Sequence, residues 1–477
     1  MTDTTTDSDR SAESKSTSRR TFLKTTAGGA ALATGISAGL FGSASAGIPT
    51  PQLGVDGNVI VDPQGNTVKL RGVNIADPKR INVTAPARGK NAEQVIDLLT
   101  SESQGWHPRV IRIPVQPGDI GEHPPGPVAE DDPAPPVPAF TQSQLDTYIE
   151  NHLDPVVQQC KAQNVYCIVD YHRHWKGQPW AESTSGPINT ALQEECLTFW
   201  ETMAPHYAEE DHVLFEIYNE PTKPGMYGGR DRQWVQDLWG LWMDFAQPVV
   251  DEVRKHTNNH VIVGSPGWSQ TPEGASMIKE FSGGNLSYSY HVYGGHSASR
   301  NQNWAGRAIN YSGAQHAYEK VPVFVTEFGW QDNFPGYAPH RWIQGTTDQY
   351  GKPILDWLES SPGLNWTAWC ADPIWLPAMF KRGFKAPDTT DSVGNPYEGD
   401  IPVHCENLPC QWTLRGGQDM GVLIKETLAK YRNDKIPAGT IDDEPTHTAI
   451  GTDTGTTETG TTTTETGTTT TETTTDG

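Results

Sequence analysis

The sequence predicts an α/β protein, a (β/α)8 or TIM barrel that follows an N-terminal β-hairpin. Eight short apolar segments, each typical of a buried strand, are separated mostly by segments with helical periodicity. Parallel strands need crossover connections, and eight strand–helix units close into a barrel of about 250 residues or more. An open doubly wound sheet is the alternative, but no glycine-rich phosphate loop follows the first strand.

The order of elements follows from this pattern. The hairpin is predicted over 54–72, where apolar residues alternate on either side of the turn sequence DPQGN. The eight barrel strands are predicted at 70–75, 110–115, 165–169, 213–218, 261–265, 286–290, 321–326 and 365–369. The clearest helices are predicted at 142–162, 188–207, 231–256 and 420–431.

The two ends of the chain differ from this central domain, which we place at 47–440. Residues 1–46 resemble a twin-arginine export signal: Arg19 and Arg20 precede a weakly apolar segment that ends in a small-residue cleavage site. That segment is too short and too rich in glycine and alanine for a membrane span. Residues 441–477 repeat TETGTTT and cannot bury a core, so an extended polar tail is expected, either a linker or a glycosylated stalk.

The chain of 477 residues is strongly acidic, with a formal net charge of −23. Such a surface repels nucleic acids and anionic membranes and suits a neutral partner. It is also typical of proteins from salt-loving organisms. The tail contributes part of the charge, but residues 47–440 alone contain 30 Lys and Arg against 46 Asp and Glu. The 16 tryptophans exceed what the core needs and favour flat surfaces that stack on sugars or bases.

Six cysteines are present, and an exported protein can oxidise them. Cys370, Cys405 and Cys410 are close in sequence, and a disulfide within this group is expected. No pair has the C-x-x-C spacing of a zinc site. His172 and His174 form an H-x-H pair, but no third ligand follows at a suitable spacing, so we predict neither metal nor cofactor.

Polar residues end several of the predicted strands. In VLFEIYNEP (213–221) an apolar strand runs into Asn219 and Glu220, and Pro221 then stops the strand. In a parallel barrel the carboxyl ends of the strands are where chemistry takes place. The other strand-end side chains of this kind are His172, His291, Tyr293 and Glu327.

Glu220 and Glu327 therefore end two separate strands of one barrel. Two carboxyl groups that face each other are the usual catalytic groups of glycoside hydrolysis. One group protonates the leaving oxygen, and the other, in its ionised form, attacks the anomeric carbon or activates water. A strand-end glutamate can instead form a structural salt bridge. That alternative is weaker for two glutamates that share their edge with Asn, His, Tyr and Arg side chains.

This constellation resembles glycoside hydrolase family 5, the retaining cellulases and mannanases, over roughly residues 54–434. The opening LRGVN (70–74) matches the family as well. The remaining matching positions, in the family's order, are Arg112 in IRIP, His172, Asn219 and Glu220, His291 and Tyr293, Glu327 and Trp369.

The resemblance implies a role for each of these residues. Glu220 would be the proton donor and Glu327 the nucleophile of a double displacement. Arg112 and Tyr293 would keep Glu327 ionised, and Asn219 would bond the sugar 2-hydroxyl. His172 and His291 would orient the sugar and Glu220, and Trp369 would form the floor beneath the sugar.

Further tryptophans follow strand ends and are predicted to line a sugar cleft, although each could equally anchor a loop by packing. They are Trp175, Trp180, Trp268, Trp330 and Trp375. The sequence as a whole predicts a secreted, monomeric, retaining hydrolase of internal β-1,4 bonds in cellulose or related β-glucans. The alternatives are a β-1,4-mannanase and a non-catalytic carbohydrate-binding protein of the cell surface.

Overall fold

The computed structural model describes residues 48–84, 88–123, 134–175, 177–225, 232–304, 317–332, 341–381 and 409–440. Eight parallel strands close into a barrel in which β11 pairs with β4, and this confirms the predicted fold class. The strands are β1 Gly54–Asp56, β2 Val59–Val61, β3 Thr67–Val68, β4 Arg71–Asn74, β5 Val110–Val115, β6 Tyr166–Tyr171, β7 Val213–Glu216, β8 Val261–Val263, β9 Leu286–Tyr293, β10 Val323–Gly329 and β11 Leu364–Ala368.

Helices connect the barrel strands, as parallel pairing requires. The α-helical segments are α1 Ala92–Thr100, α2 Pro117–Ile120, α3 Gln142–Tyr148, α4 Asp154–Ala162, α5 Thr190–His206, α6 Arg232–Arg254, α7 Pro266–Ser269, α8 Glu273–Met277, α9 Ser297–Arg300, α10 Lys352–Glu359 and α11 Met420–Lys430. Among the described residues, no helix combines the length and the apolarity that crossing a bilayer would require.

The predicted single helix over 142–162 is wrong in one respect. A π-helical turn, Ile149–Leu153, separates α3 from α4. Within this turn the Asp154 amide donates to the carbonyl of Ile149, five residues back. Pro155 follows directly and has no amide hydrogen to continue the α-helical pattern, which accounts for the changed register.

The segment predicted as a hairpin, 54–72, contains a three-stranded antiparallel sheet, β1-β2-β3, and the predicted turn joins β2 to β3. Its turn is fixed by Asp62, whose carboxylate accepts hydrogen bonds from the amides of Gln64 and Asn66. Apolar side chains of this sheet pack against the barrel interior at the amino ends of the strands, and so close that end. This cluster comprises Leu53, Ile60, Val68, Leu70, Val110, Tyr166, Ile168, Leu214, Ile262 and Phe324.

Close strand pairing explains the glycine of LRGVN. A Cβ atom on Gly72 would lie 1.7 Å from the carbonyl oxygen of Val110 on the neighbouring strand β5. Every other residue would therefore push β4 and β5 apart at the point where the barrel closes.

The prediction of a disulfide within the group Cys370, Cys405 and Cys410 agrees with the described cysteines. Cys370 is a buried free thiol, so it takes no part in a disulfide. Cys410 is disulfide-bonded, while Cys405 lies outside the described residues. The predicted export signal and the predicted tail also lie outside the described residues.

Candidate active site

Glu220 and Glu327 meet at the carboxyl edge of the barrel. Glu327 lies in β10, the seventh barrel strand, and Glu220 follows β7, the fourth. Beyond β7 the chain still runs beside β6, because the amide of Asn219 bonds to the carbonyl of Tyr171 and that of Glu220 to the carbonyl of Arg173. One carboxylate oxygen from each glutamate lies within 4.8 Å of the other and of a ring nitrogen of His291.

Both oxygens of Glu327 are held by donors. Arg112 Nη1 lies 2.9 Å from Oε1, and the Tyr293 hydroxyl donates to Oε2 at 2.6 Å. Burial raises the pKa of Glu327, but the Arg112 charge and the Tyr293 hydrogen bond oppose that rise. The side chain is only 6% exposed, so these two contacts are what favours its ionised form.

Glu220 is in a different environment. Burial raises the pKa of Glu220 well above its usual range, and the negative charge of Glu327 raises it further. Its Oε1 lies 2.9 Å from Nδ1 of His291. Since burial holds the pKa of His291 well below its usual value, this imidazole is neutral. The pair therefore has one carboxyl that retains a proton and one that is better suited to carry charge.

Arg112 lies beneath the two glutamates, fully buried inside the barrel. Its Nη2 donates to Asn219 Oδ1 at 2.7 Å and lies 2.9 Å from Asp170, and its Nε donates to Glu216 at 2.5 Å. Burial raises the pKa of both Asp170 and Glu216 to about 7, against the lowering effect of Arg112. The guanidinium of Arg112 is thus the shared cationic partner of several carboxyl groups in the buried interior of the barrel.

Asp170 and Glu216 were not predicted from the sequence. Both lie within strands whose neighbouring residues are apolar, and such runs indicate buried strands rather than sites. A usable signal was present, since Asp170 and Glu216 stand in register on β6 and β7, and inward-facing charges on adjacent strands must share a partner.

His172 and Trp369 form one wall of the site. Their rings are stacked, with centroids 5.5 Å apart and planes 4° apart. Asp170 Oδ2 lies 2.6 Å from Nδ1 of His172, and burial lowers the pKa of His172 to about 3. The imidazole is therefore neutral, and its Nδ1 contact to Asp170 fixes its orientation. Trp375 stacks on Trp369 with centroids 5.3 Å apart and continues the same wall.

Two of the predicted substrate-binding tryptophans belong to the core. Trp180 is fully buried, its Nε1 donates to the carbonyl of Pro224, and its ring packs edge-on against Trp242. Trp330 is also fully buried, and its ring packs against Tyr350. Neither ring has a face open to a sugar, so the prediction is wrong for both.

The remaining predicted tryptophans lie closer to the site. Trp175 is 7% exposed and stacks on His174, with the guanidinium of Arg173 over its ring. Trp268 is half-buried and has a left-handed backbone conformation, φ +60°. Its amide donates to the carbonyl of Pro221, the residue that follows Glu220.

Trp342 was missed in the sequence. Its half-buried ring meets Tyr293 edge-on, with centroids 4.6 Å apart, and it packs on the cluster that contains Trp369. The segment 333–340 that precedes it has no strand or helix pattern, so nothing in the sequence tied Trp342 to the barrel edge.

By distance alone, the group formed by Glu220, His291 and Glu327 could also accommodate a cation. Each of these side chains already has a protein partner, however. His291 bonds Glu220, while Arg112 and Tyr293 bond Glu327. The cation of Arg112 supplies the positive charge that the carboxylate needs, and the arrangement is suited to proton transfer.

Known proteins of similar sequence include endoglucanases and cellulases. The chain is 27% identical over 227 residues to Endoglucanase C of Evansella cellulosilytica, which covers 45% of this chain and 26% of that protein. It is 26% identical over 326 residues to Cellulase CelDZ1 of a Thermoanaerobacterium species, covering 66% of this chain and 69% of the relative. Against the first of these relatives and an endoglucanase of Bacillus sp. strain KSM-635, the match spans only about a quarter of their lengths.

Among solved structures, a β-glucanase from Saccharophagus degradans in complex with cellotetraose shares the fold. Its TM-score is 0.54 at 19% identity, covering 80% of this chain and 94% of that one. Residues 61–373, more than half of the chain, match the family model described as Cellulase (glycosyl hydrolase family 5). The chain therefore belongs to the cellulase family, glycosyl hydrolase family 5.

Proposed function

We propose that the protein is a retaining endo-β-1,4-glucanase that acts on cellulose or related β-glucans, with Glu220 as proton donor and Glu327 as nucleophile. The observation that carries the proposal is the separation of these two side chains. Retaining glycosidases hold their carboxyl groups about 5–5.5 Å apart, whereas inverting enzymes leave about 6.5–9.5 Å for a water molecule. An oxygen–oxygen approach within 4.8 Å supports the retaining arrangement.

In the first step, protonated Glu220 gives its proton to the glycosidic oxygen while a carboxylate oxygen of Glu327 bonds to the anomeric carbon. The carbon–oxygen bond to the leaving sugar breaks, and its electron pair stays with the protonated oxygen. Glu327 becomes a neutral ester and Glu220 becomes a carboxylate, so the buried site keeps the same total charge.

In the second step, the ester no longer carries the charge that raised the pKa of Glu220. Glu220 takes a proton from water, and the water oxygen attacks the anomeric carbon from the face that the leaving sugar occupied. The bond to Glu327 breaks, its carboxylate is restored beside Arg112 and Tyr293, and the β configuration is retained.

The supporting residues have distinct tasks in this proposal. Asn219, held by Arg112, would bond the sugar 2-hydroxyl, a contact that strengthens in the transition state. His172 would orient the sugar, and His291 would orient Glu220. Trp369 would support the sugar from below with its flat ring. Trp268, which follows β8, would contact the polysaccharide near Glu220.

The substrate proposal rests on the names of relatives and on charge. Endoglucanases recur among the relatives, and the β-glucanase that shares the fold was solved with cellotetraose. A neutral polysaccharide also suits an acidic protein, since it is not repelled.

The organisation of the whole chain remains part of the proposal. We infer export through the twin-arginine pathway with loss of residues 1–46, a catalytic domain over 47–440, and a polar tail over 441–477. We also propose that the protein is of a haloarchaeal, salt-adapted type, which the excess of acidic residues in the domain itself supports. A monomer is proposed because one barrel contains both glutamates.

Product analysis tests the proposal. The purified protein is incubated with carboxymethyl cellulose, mixed-linkage β-glucan and β-mannan in high salt, and the anomeric configuration of new ends is followed by NMR. We expect a rapid fall in viscosity of the glucans and initial β-configured ends. Release of sugar products from mannan alone would show that the protein is a mannanase. Hydrolysis that persists in Glu327→Gln would contradict the assignment of Glu327 as nucleophile.

A further inference from the structure

A chain of hydrogen bonds leads from Glu220 down into the barrel interior and ends at Glu216. Glu220 Oε1 lies 2.9 Å from Nδ1 of His291, and Nε2 of the same ring lies 2.9 Å from Oγ1 of Thr326. The Thr326 hydroxyl lies 2.8 Å from Oε1 of Glu216. Three strands contribute to the chain, since Glu216 ends β7, His291 lies in β9 and Thr326 in β10.

The direction of every bond follows from the far end. Glu216 Oε2 accepts from Nε of Arg112, which can only donate. An ionised Glu216 can only accept, so the Thr326 hydroxyl hydrogen points towards Glu216 Oε1. The lone pairs of Thr326 Oγ1 are then left to accept, one from His291 Nε2 and one from the hydroxyl of Ser289 at 2.5 Å.

The tautomer of His291 is fixed as a result. Its pKa is held well below the usual value by burial, so the ring carries one proton, and that proton is on Nε2. Nδ1 then presents a lone pair to Glu220 Oε1 at 2.9 Å. It also lies 3.5 Å from Oε2 of Glu327, but that oxygen accepts from the Tyr293 hydroxyl. Only a protonated Glu220 can satisfy the lone pair, because a carboxylate would face it without a hydrogen between them.

We propose that Glu216 is a positioning residue for the proton donor: through Thr326 and His291 it sets the tautomer that keeps the proton on Glu220. The proposal rests on the role of Glu220 proposed above and adds a determinant that does not touch the substrate. Once Glu220 has given up its proton, the lone pair of His291 opposes the new carboxylate. The same chain therefore also favours the return of a proton to Glu220 in the second step.

The charges around Glu216 agree with this direction. Arg112 and Asp170 face it from β5 and β6, His291 Nε2 lies 4.0 Å from it, and Glu327 shares its Arg112. The pKa of Glu216 is raised to about 7, while that of Glu220 is raised well above its usual range. The charge and the hydrogen bond of Arg112 lower the pKa of Glu216 and so favour the ionised form that accepts from Thr326.

The first test interrupts the chain of hydrogen bonds without changing a charge. In Thr326→Val the hydroxyl is replaced by a methyl group, so Glu216 no longer dictates the tautomer of His291. We expect the alkaline limb of the kcat/KM profile, which reports the proton on Glu220 of the free enzyme, to move down by about one pH unit, the equivalent of one hydrogen bond. The matched control is Thr326→Ser, which keeps the hydroxyl and should keep the limb in place.

The second test reads the tautomer directly and needs no substrate. In the full-length protein labelled with 15N-histidine, the signal of His291 is assigned by its loss in His291→Asn. We expect the Nε2–H tautomer in the unaltered protein. In Glu216→Gln the amide oxygen must face Arg112 Nε, so the amide nitrogen donates to Thr326 and frees the threonine hydrogen for His291 Nε2 or for Ser289. Glu216 then no longer enforces Nε2–H, and we expect the Nδ1–H tautomer to appear.

The outcomes separate this inference from the proposed function. An Nδ1–H tautomer in the unaltered protein, or an alkaline limb that stays in place in Thr326→Val, would overturn the role of Glu216 while leaving Glu220 as the acid. Should Glu220→Gln retain full activity with the tautomer as expected, the proposed function would be wrong instead. Because Thr326→Val leaves both carboxyl groups intact, the test remains decisive if Glu216→Gln does not fold.

Discussion

The hydroxyl of Tyr293 lies 2.6 Å from Oε2 of Glu327, and the two residues belong to neighbouring parallel strands, β9 and β10. Arg112 holds the other oxygen of the same carboxylate. Tyr293 also packs against Trp342, which limits the movement of its ring. The orientation of the proposed nucleophile is therefore determined by side chains on both sides of its own strand.

Replacing Tyr293 by phenylalanine removes one donor from Glu327. Because that hydrogen bond lowers the pKa of Glu327, its loss raises the pKa, and the acid limb of the kcat/KM profile should move to higher pH. We also expect kcat/KM at the optimum to fall by about 10- to 100-fold, the equivalent of a hydrogen bond to a charged group. The matched control is Tyr166→Phe, which removes a hydrogen bond to the carbonyl of Pro51 at the opposite end of the barrel. An acid limb that does not move in Tyr293→Phe would contradict this interpretation.

A buried ion pair joins the loops that follow β4 and β11. Arg88 Nε lies 2.6 Å from Oδ1 of Asp372, both side chains are fully buried, and Oδ2 accepts from the amide of Trp375. Asp372→Asn leaves the arginine charge without its partner, and we expect the free energy of unfolding to fall by about 3–5 kcal/mol.

Denaturant unfolding measures this loss. Asp348→Asn is the control, because its ion pair with Lys352 is more than half exposed and should contribute little to stability. Equal losses in the two variants would show that the buried pair does not hold these loops together.

Truncation of two tryptophans should affect different properties, stability in one case and substrate binding in the other. Trp180→Ala removes a fully buried ring and should lower the free energy of unfolding by about 3–5 kcal/mol. Trp268→Ala removes a half-buried ring from a residue whose backbone amide bonds to Pro221, and we expect a higher KM for soluble glucan with little change in the free energy of unfolding. Steady-state kinetics and thermal unfolding of both variants distinguish the two roles. A KM that stays unchanged in Trp268→Ala would remove it from the substrate-contacting residues.

The acidic surface predicts a response to salt. With 46 acidic against 30 basic residues in 47–440, repulsion between carboxylates opposes the compact state, and salt screens that repulsion. We expect activity on mixed-linkage β-glucan, a neutral substrate, to persist or rise in molar NaCl. A chain that ends at residue 440 tests whether the domain alone is responsible, since it lacks the acidic tail. Loss of activity in salt would rule out the halophilic interpretation but would leave the chemistry intact.

The strand ends were predictable from sequence for a physical reason. In VLFEIYNEP the apolar run predicts a buried strand, and although β7 already ends at Glu216, the polar residues before Pro221 lie at that edge of the barrel. Interior positions were not predictable in this way. Glu216 lies in the same run, yet its partners Arg112 and Thr326 come from strands far away in sequence.

The burial of individual tryptophans also could not be predicted from a single sequence. Trp180 and Trp268 both follow strand ends, but the first is enclosed by Trp242 while the second stays half-buried. Whether a loop ring faces the core or solvent depends on side chains brought in by other helices, here α6. The π-helical turn before Pro155 shows the same limit, since the apolar periodicity of 142–162 continues across it.

Arg112 connects strands of the barrel that are not neighbours in the sheet. Its planar group contacts Asn74 on β4, Asp170 on β6, Glu216 on β7 and Glu327 on β10. Because a guanidinium is rigid, a small displacement of any one of these strands changes the geometry at the others. Heating should therefore abolish turnover at a temperature where the helices and the barrel are still intact, and the loss should reverse on cooling.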